Sequence, residues 1–208
     1  MCEDLSPARS NIPASESPPG SPPHAGFRSA QPQGVTVATA GPILSGWPRQ
    51  IAWSEFRDLE RRPSGESENA QVAVELRPSR ILIERENGQL KLGNVTFRMD
   101  INRSDSWVVA GQKSTALLAH EQGHYNIVGL CYRDLVAELQ RLRASSQSQL
   151  AREVRRIMGQ YDRLADTLSA EYDSSQETDH GRNPGRQKAW ETQIQNCMQT
   201  GTGLSKPA

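Results

Sequence analysis

Residues 117–127 read LLAHEQGHYNI, with a His, a Glu and a second His at positions 120, 121 and 124. On an α-helix, residues four apart project from the same face. His120 and His124 can therefore each turn one imidazole nitrogen toward a common metal, and zinc takes such nitrogens at about 2.0–2.1 Å. Glu121 is rotated from the first histidine by about 100° on a helix of 3.6 residues per turn. It can reach a water beside the metal without taking a coordination position. Two ligands and a base that deprotonates water are what metal-dependent peptide hydrolysis needs from this spacing. The plain alternative is a helix whose histidines are partly buried and hydrogen-bonded. Gly123 inside such a helix costs about 1 kcal/mol relative to Ala, which points to close packing or a functional demand there.

A catalytic zinc site takes a third protein ligand and keeps one position open for water. The chain has 4 histidines, and His24 falls in a Pro-rich tail. That leaves His180, which follows His124 by 180 − 124 = 56 residues and sits in YDSSQETDHGRNPG. Asp173, Glu177 and Asp179 compete for the same role. Tyr172 and Arg182 are candidates to support a developing oxyanion. Asp173 and Asp179 are candidates to fix the histidine tautomers.

The elements that must position these groups follow from periodicity. Residues 1–46 hold eight of the 13 prolines and few large apolar side chains, and read as a disordered leader. The fold is expected to begin at GWPRQIAWSEF, with Ser54 capping a short helix over 55–60. Residues 70–110 read as a small antiparallel β region. Asn87-Gly88 is a strong turn signal between two of its strands, and Gly93-Asn94 marks a bulge or a second turn. From Lys113 the period changes to that of a helix. Helices are expected over about 113–144, 147–172 and 184–199, the last with Pro184 in its first turn. Residues 201–208 read as a flexible end. Cys131 and Cys197 fall on two different helices, so they are either an interhelical disulfide or two buried thiols.

HEQGH followed by an aromatic, with QIAWSEF upstream, SWV before the helix and the later Tyr172-Asp173 and Thr178-x-His180-Gly181 pieces, resembles the DUF922 family of predicted secreted bacterial zinc-dependent proteases. The resemblance covers about residues 47–200. Here SSQE separates Tyr172-Asp173 from Thr178-x-His180-Gly181, a departure from the closer spacing of the family pattern. The resemblance implies a zincin-like α+β metallopeptidase domain, a zinc cofactor held by His120, His124 and His180, Glu121 as general base, and a peptide or protein substrate. It also implies a periplasmic or secreted location. The first residues, MCEDLSPARS, carry no apolar signal region, which leaves two readings open, a cytoplasmic protein and a sequence from whose start the signal is missing.

Composition narrows the rest. The formal net charge is +0 and the mean hydropathy −0.68, so bulk electrostatics give no reason to expect nucleic acid or an anionic membrane as partner. No apolar run is long enough to cross a bilayer. Two rival classes stay open: a non-catalytic envelope scaffold stabilised by a closed, four-ligand zinc site, and a helical interaction module without metal. Oligomeric state is not readable from the chain.

Overall fold

The computed structural model describes residues 41–207. Most of the expected leader, residues 1–40, lies outside the described residues. The elements run β1 (Ile43–Ser45), a 3-10 turn (Trp53–Glu55), β2 (Arg57–Leu59), β3 (Ala70–Gln71), β4 (Val74–Pro78), β5 (Ile83–Glu86), β6 (Gln89–Leu92), β7 (Thr96–Ile101), β8 (Trp107–Val109), a second 3-10 turn (Ala110–Gln112), α1 (Thr115–Arg141), α2 (Gln147–Asp173) and α3 (Pro184–Thr200). The class is α+β, with small sheets followed by three helices.

The sheets are mixed rather than purely antiparallel. One has the order β1-β7-β4, the second β2-β8-β3, and β5-β6 form a hairpin of their own. β1 runs parallel to β7 and β2 parallel to β8. Two corrections to the sequence reading underlie this. Ile43–Ser45, placed in the leader, is a strand that pairs with Thr96–Arg98. The helix expected over 55–60 is a single 3-10 turn followed by strand β2. Its start is fastened by Glu55, whose carboxylate accepts from Ala52 N at 3.0 Å, not by Ser54. Phe56 is already extended, at φ −105° and ψ 152°, and Arg57 N donates to Ser106 O at 3.0 Å. Pairing with β8 thus outweighs the local helical preference.

β7 shows the period of two directly. Phe97 and Met99 are buried while Arg98 between them is exposed, as a half-buried strand requires. The β5–β6 turn is the Asn87-Gly88 pair, with φ of 50° and 81°, the left-handed backbone of a type I′ hairpin.

α1 is the central element. One face carries Tyr125, Tyr132, Leu135 and Leu139 into a core shared with Val95, Phe97 and Met99. The opposite face carries Ile127, Leu130 and Cys131 into a second core with Leu168, Tyr172, Trp190 and Ile194. A helix apolar on both sides is one that a fold buries, and full burial of each large side chain contributes about 1.5–3 kcal/mol. Each helix starts at a side-chain cap: Ser114 accepts from Leu117 N, Ser146 from Gln149 N and Asn183 from Arg186 N. Cys131 and Cys197 are buried, unbridged thiols, and burial pushes Cys131 up to about 12.

Candidate metal centre

His120 and His124 stand in the first half of α1, one turn apart, and their rings meet edge-on with centroids 4.9 Å apart. The end of α2 comes back against them. Tyr172, fully buried, stacks flat on His120 at 4.7 Å and meets His124 edge-on at 4.9 Å. This contact explains Gly123. A Cβ there would overlap the Tyr172 ring, so the glycine is what lets α2 end beside the imidazoles. Gln122 serves the other side: its amide donates to Arg49 O at 3.1 Å and accepts from Ile51 N at 2.9 Å, tying the segment before the first 3-10 turn to α1.

The next residue, Asp173, closes α2 and brings the two histidines to one point. Its Oδ1 lies 3.0 Å from His120 Nε2 and 2.9 Å from His124 Nε2. The donor atoms of His120, His124 and Asp173 all lie within 4.8 Å of one another. Donors bound to one tetrahedral zinc at about 2.0–2.1 Å sit about 3.3 Å apart. The trio therefore fits a zinc with little rearrangement. The far nitrogen of His120 is also fixed. His120 Nδ1 faces Gln187 Oε1 at 3.2 Å, and Tyr172 Oη donates to the same oxygen at 2.9 Å and to His120 O at 3.3 Å. Gln187 Oε1 can only accept, so with a metal in place of the Nε2 hydrogen bond to Asp173 the proton would sit on Nδ1 and Nε2 would present its lone pair.

Glu121 is 2 % exposed and lines a cavity with each of the two imidazoles. Its carboxylate accepts from Val72 N at 2.8 Å. Burial pushes its carboxyl up to about 7, against the pull of His124 and the Val72 N–H. Asp173 experiences the reverse. Burial would raise it, but the hydrogen bonds from His120 and His124 outweigh that and hold it well below the carboxylate range. His120 is lowered by burial, whereas in His124 burial is outweighed by the bond to Asp173 together with the charges of Asp173, Glu121 and Glu68, which raise it.

Two cavities open on this cluster. A cleft of about 500 Å³ is bordered by His124, Asp173, Val128 and Tyr132 on one side and by Gln71–Val74 on the other. A smaller cavity of about 160 Å³ is bordered by His120, His180 and Gly181. Glu68 and Glu121 line both.

The other residues singled out from sequence are distributed as follows. His180 comes close but not into the trio. Its Nδ1 lies 3.8 Å from Asp173 Oδ1 and 3.1 Å from Glu68 Oε1, and these three residues form a second group of potential ligands. The turn carrying it is tight. Asp179, His180 and Gly181 all have positive φ, at 47°, 52° and 80°, and each non-glycine residue in that region costs about 1–2 kcal/mol. Backbone bonds from Thr178 N, Asp179 N and His180 N to the end of α2 hold it. Asp179 and Arg182 pair with each other at 3.3 Å on the surface, and Arg182 borders the smaller cavity with His120 and His180. The Tyr172 hydroxyl points into the protein rather than into either cavity, and so supports His120 rather than a substrate oxyanion. Glu177 is a structural anion. Arg186 and Trp190 each donate to its Oε2 at 2.9 Å, and Lys206 lies 3.0 Å from its Oε1.

Glu68 and Gln187 escaped the sequence reading. Glu68 sits in the loop before β3 and Gln187 near the start of α3, and neither bears a recognisable spacing to the histidines. With Asp173 placed between His120 and His124, the family model of DUF922, described as a bacterial protein of unknown function, matches residues 57–181. The chain belongs to the DUF922 family. The matched span contains Glu68, His120, Glu121, His124, Asp173 and His180, whereas Gln187 lies beyond it. No curated protein matches this DUF922 chain, and no solved structure does. Among its described residues, no helix is long and apolar enough to cross a membrane.

Proposed function

We propose that this DUF922 protein is a zinc-dependent peptidase of zincin-like type, acting on a peptide or protein substrate. The observation that carries the reading is the convergence of His120 Nε2 and His124 Nε2 on one carboxylate oxygen of Asp173, with Glu121 buried one residue away at the junction of two cavities. The ligands are His120, His124 and Asp173. Asp173 takes the place in this trio that the sequence reading gave to His180.

When bound, zinc supplies Lewis acidity, which lowers the pKa of a water toward about 7 and polarises a carbonyl. The protein does the rest. Gln187 and Tyr172 hold His120 in the tautomer that presents Nε2. The Val72 N–H holds the Glu121 carboxylate at the wall of the larger cleft. Glu121 accepts the proton of the attacking water and passes it to the leaving amine, a role in general acid–base catalysis that contributes about 10²–10⁴-fold. The cleft receives the substrate chain beside Gln71–Val74.

The test is cleavage of an unstructured protein mixture, read as new N-termini by mass spectrometry. Parent and Glu121→Gln are compared after both are loaded with zinc. Cleavage by the parent with a loss of at least about 10²-fold in the variant, at equal zinc content, supports the reading. Equal cleavage by both, or none by a zinc-loaded parent across the mixture, overturns it.

A further inference from the structure

A second trio of ligand-type side chains shares Asp173 with the first: Glu68, Asp173 and His180, their donor atoms within 4.8 Å of one another. These residues come from separate places in the chain, the loop before β3, the last residue of α2 and the α2–α3 turn. Their approach is thus a product of the tertiary fold, not of local spacing. His180 Nδ1 is buried and, among the described residues, is the one buried side-chain polar atom without a hydrogen bond. It lies 3.1 Å from Glu68 Oε1, close enough for contact but without hydrogen-bond alignment. Buried polar groups are almost always satisfied. A buried imidazole nitrogen set between two carboxylates is therefore a donor arranged for something other than a protein partner.

Its neighbours indicate what that is. Gly181 packs on His120, where an added Cβ would lie 3.2 Å from the His120 Cβ, so the glycine lets the turn approach α1 this closely. The small cavity reaches His180, Glu68, His120 and Glu121, while the large cleft reaches Asp173, Glu68, His124 and Glu121. Two carboxylates and an imidazole suit a divalent transition ion. A carboxylate shared between two donor sets is the usual bridge of a two-metal site.

We propose that the protein binds two divalent metal ions, the first held by His120, His124 and Asp173 and the second by Asp173, Glu68 and His180, with Asp173 bridging them. The second site rests on the zinc reading above only through this shared ligand. It gives His180 a role as a ligand of the second ion.

The full chain is stripped with chelator, titrated with zinc by calorimetry and its metal content measured after gel filtration. The expected result is two ions per chain in the parent and one in His180→Ala and in Glu68→Gln. With manganese at two equivalents, the parent gives an exchange-coupled paramagnetic resonance spectrum and either variant a simple mononuclear one. Circular dichroism identifies a variant that has not folded, and two variants are used so that one folded sample suffices. One ion in the parent, unchanged in both variants, overturns the proposal. So does a single ion lost altogether in His180→Ala, which would make His180 a ligand of the first site. In either case a parent that still cleaves peptides leaves the peptidase reading standing, whereas a chain that binds no metal removes both.

Discussion

Replacing Gln187 with Ala isolates the part of the site that lies beyond the family-matched span. In the parent, one oxygen of Gln187 faces His120 Nδ1 at 3.2 Å and accepts from Tyr172 Oη at 2.9 Å, both in the buried interior. The variant leaves Nδ1 without its acceptor and takes one of the two acceptors from the tyrosine hydroxyl. Each buried donor left unsatisfied costs about 1–3 kcal/mol. Because Tyr172 keeps its bond to His120 O at 3.3 Å, Nδ1 is the one donor left unsatisfied, and the expected loss of stability is about 1–3 kcal/mol in all. Loss of a hydrogen bond that orients a metal-binding histidine lowers metal affinity about 10–100-fold, equivalent to about 1.4–2.8 kcal/mol. Zinc affinity is measured by competition with a chromophoric chelator, and stability by urea unfolding in chelator, so that the two effects separate. Gln187→Glu keeps an acceptor at the same place and is expected to restore zinc affinity. Unchanged zinc affinity in Gln187→Ala, or an equal loss in Gln187→Glu, would refute the reasoning.

Gly123→Ala is expected to destabilise by about 1–3 kcal/mol through overlap with the Tyr172 ring, although Ala is the better helix former; urea unfolding decides, and a gain in stability would contradict it. Glu177 is held down at about 2, because its bonds from Lys206, Arg186 and Trp190 outweigh the burial that would raise it. Its folded value is thus below its ordinary 4.5, so its contribution is complete above that pH and is lost as pH falls toward about 2. Glu177→Gln is therefore expected to be less stable at neutral pH and to lose less further stability between those limits, which unfolding curves at several pH values test. Cys131 and Cys197 are buried and unbridged, so alkylation of the native protein followed by peptide mapping is expected to leave both unmodified, and alkylation in denaturant to modify both. Rapid native labelling of either would contradict their burial.

The three helices and the hairpin were legible because their signals are local. Leu117, Ile127, Leu135 and Leu139 repeat at helical steps, and the observed ends of α2 and α3 lie within one or two residues of those expected. Asn87-Gly88 specifies its turn through the backbone it permits. β1 and β2 were not legible. Each is 3 residues long and exists because a distant strand, β7 or β8, offers a parallel partner, and a three-residue segment carries no periodicity of its own. The same division holds at the site. His120, Glu121 and His124 follow from spacing within one helix. Asp173 was named among several acids, but nothing in YDSSQETDHG says which of them meets the imidazoles. That is decided by where α2 ends and by Tyr172 filling the space left at Gly123. Glu68 is brought in by a loop and Gln187 by α3, and an amide or carboxylate at those separations is indistinguishable from a surface residue until the chain is folded.

The most direct test of the zinc centre is a crystal structure of the zinc-loaded protein with anomalous scattering recorded on both sides of the zinc edge. The account predicts a zinc peak bonded to His120 Nε2, His124 Nε2 and the Asp173 carboxylate, at about 2.0–2.2 Å from each. No zinc at these residues after loading, or zinc bound only elsewhere on the chain, would contradict it.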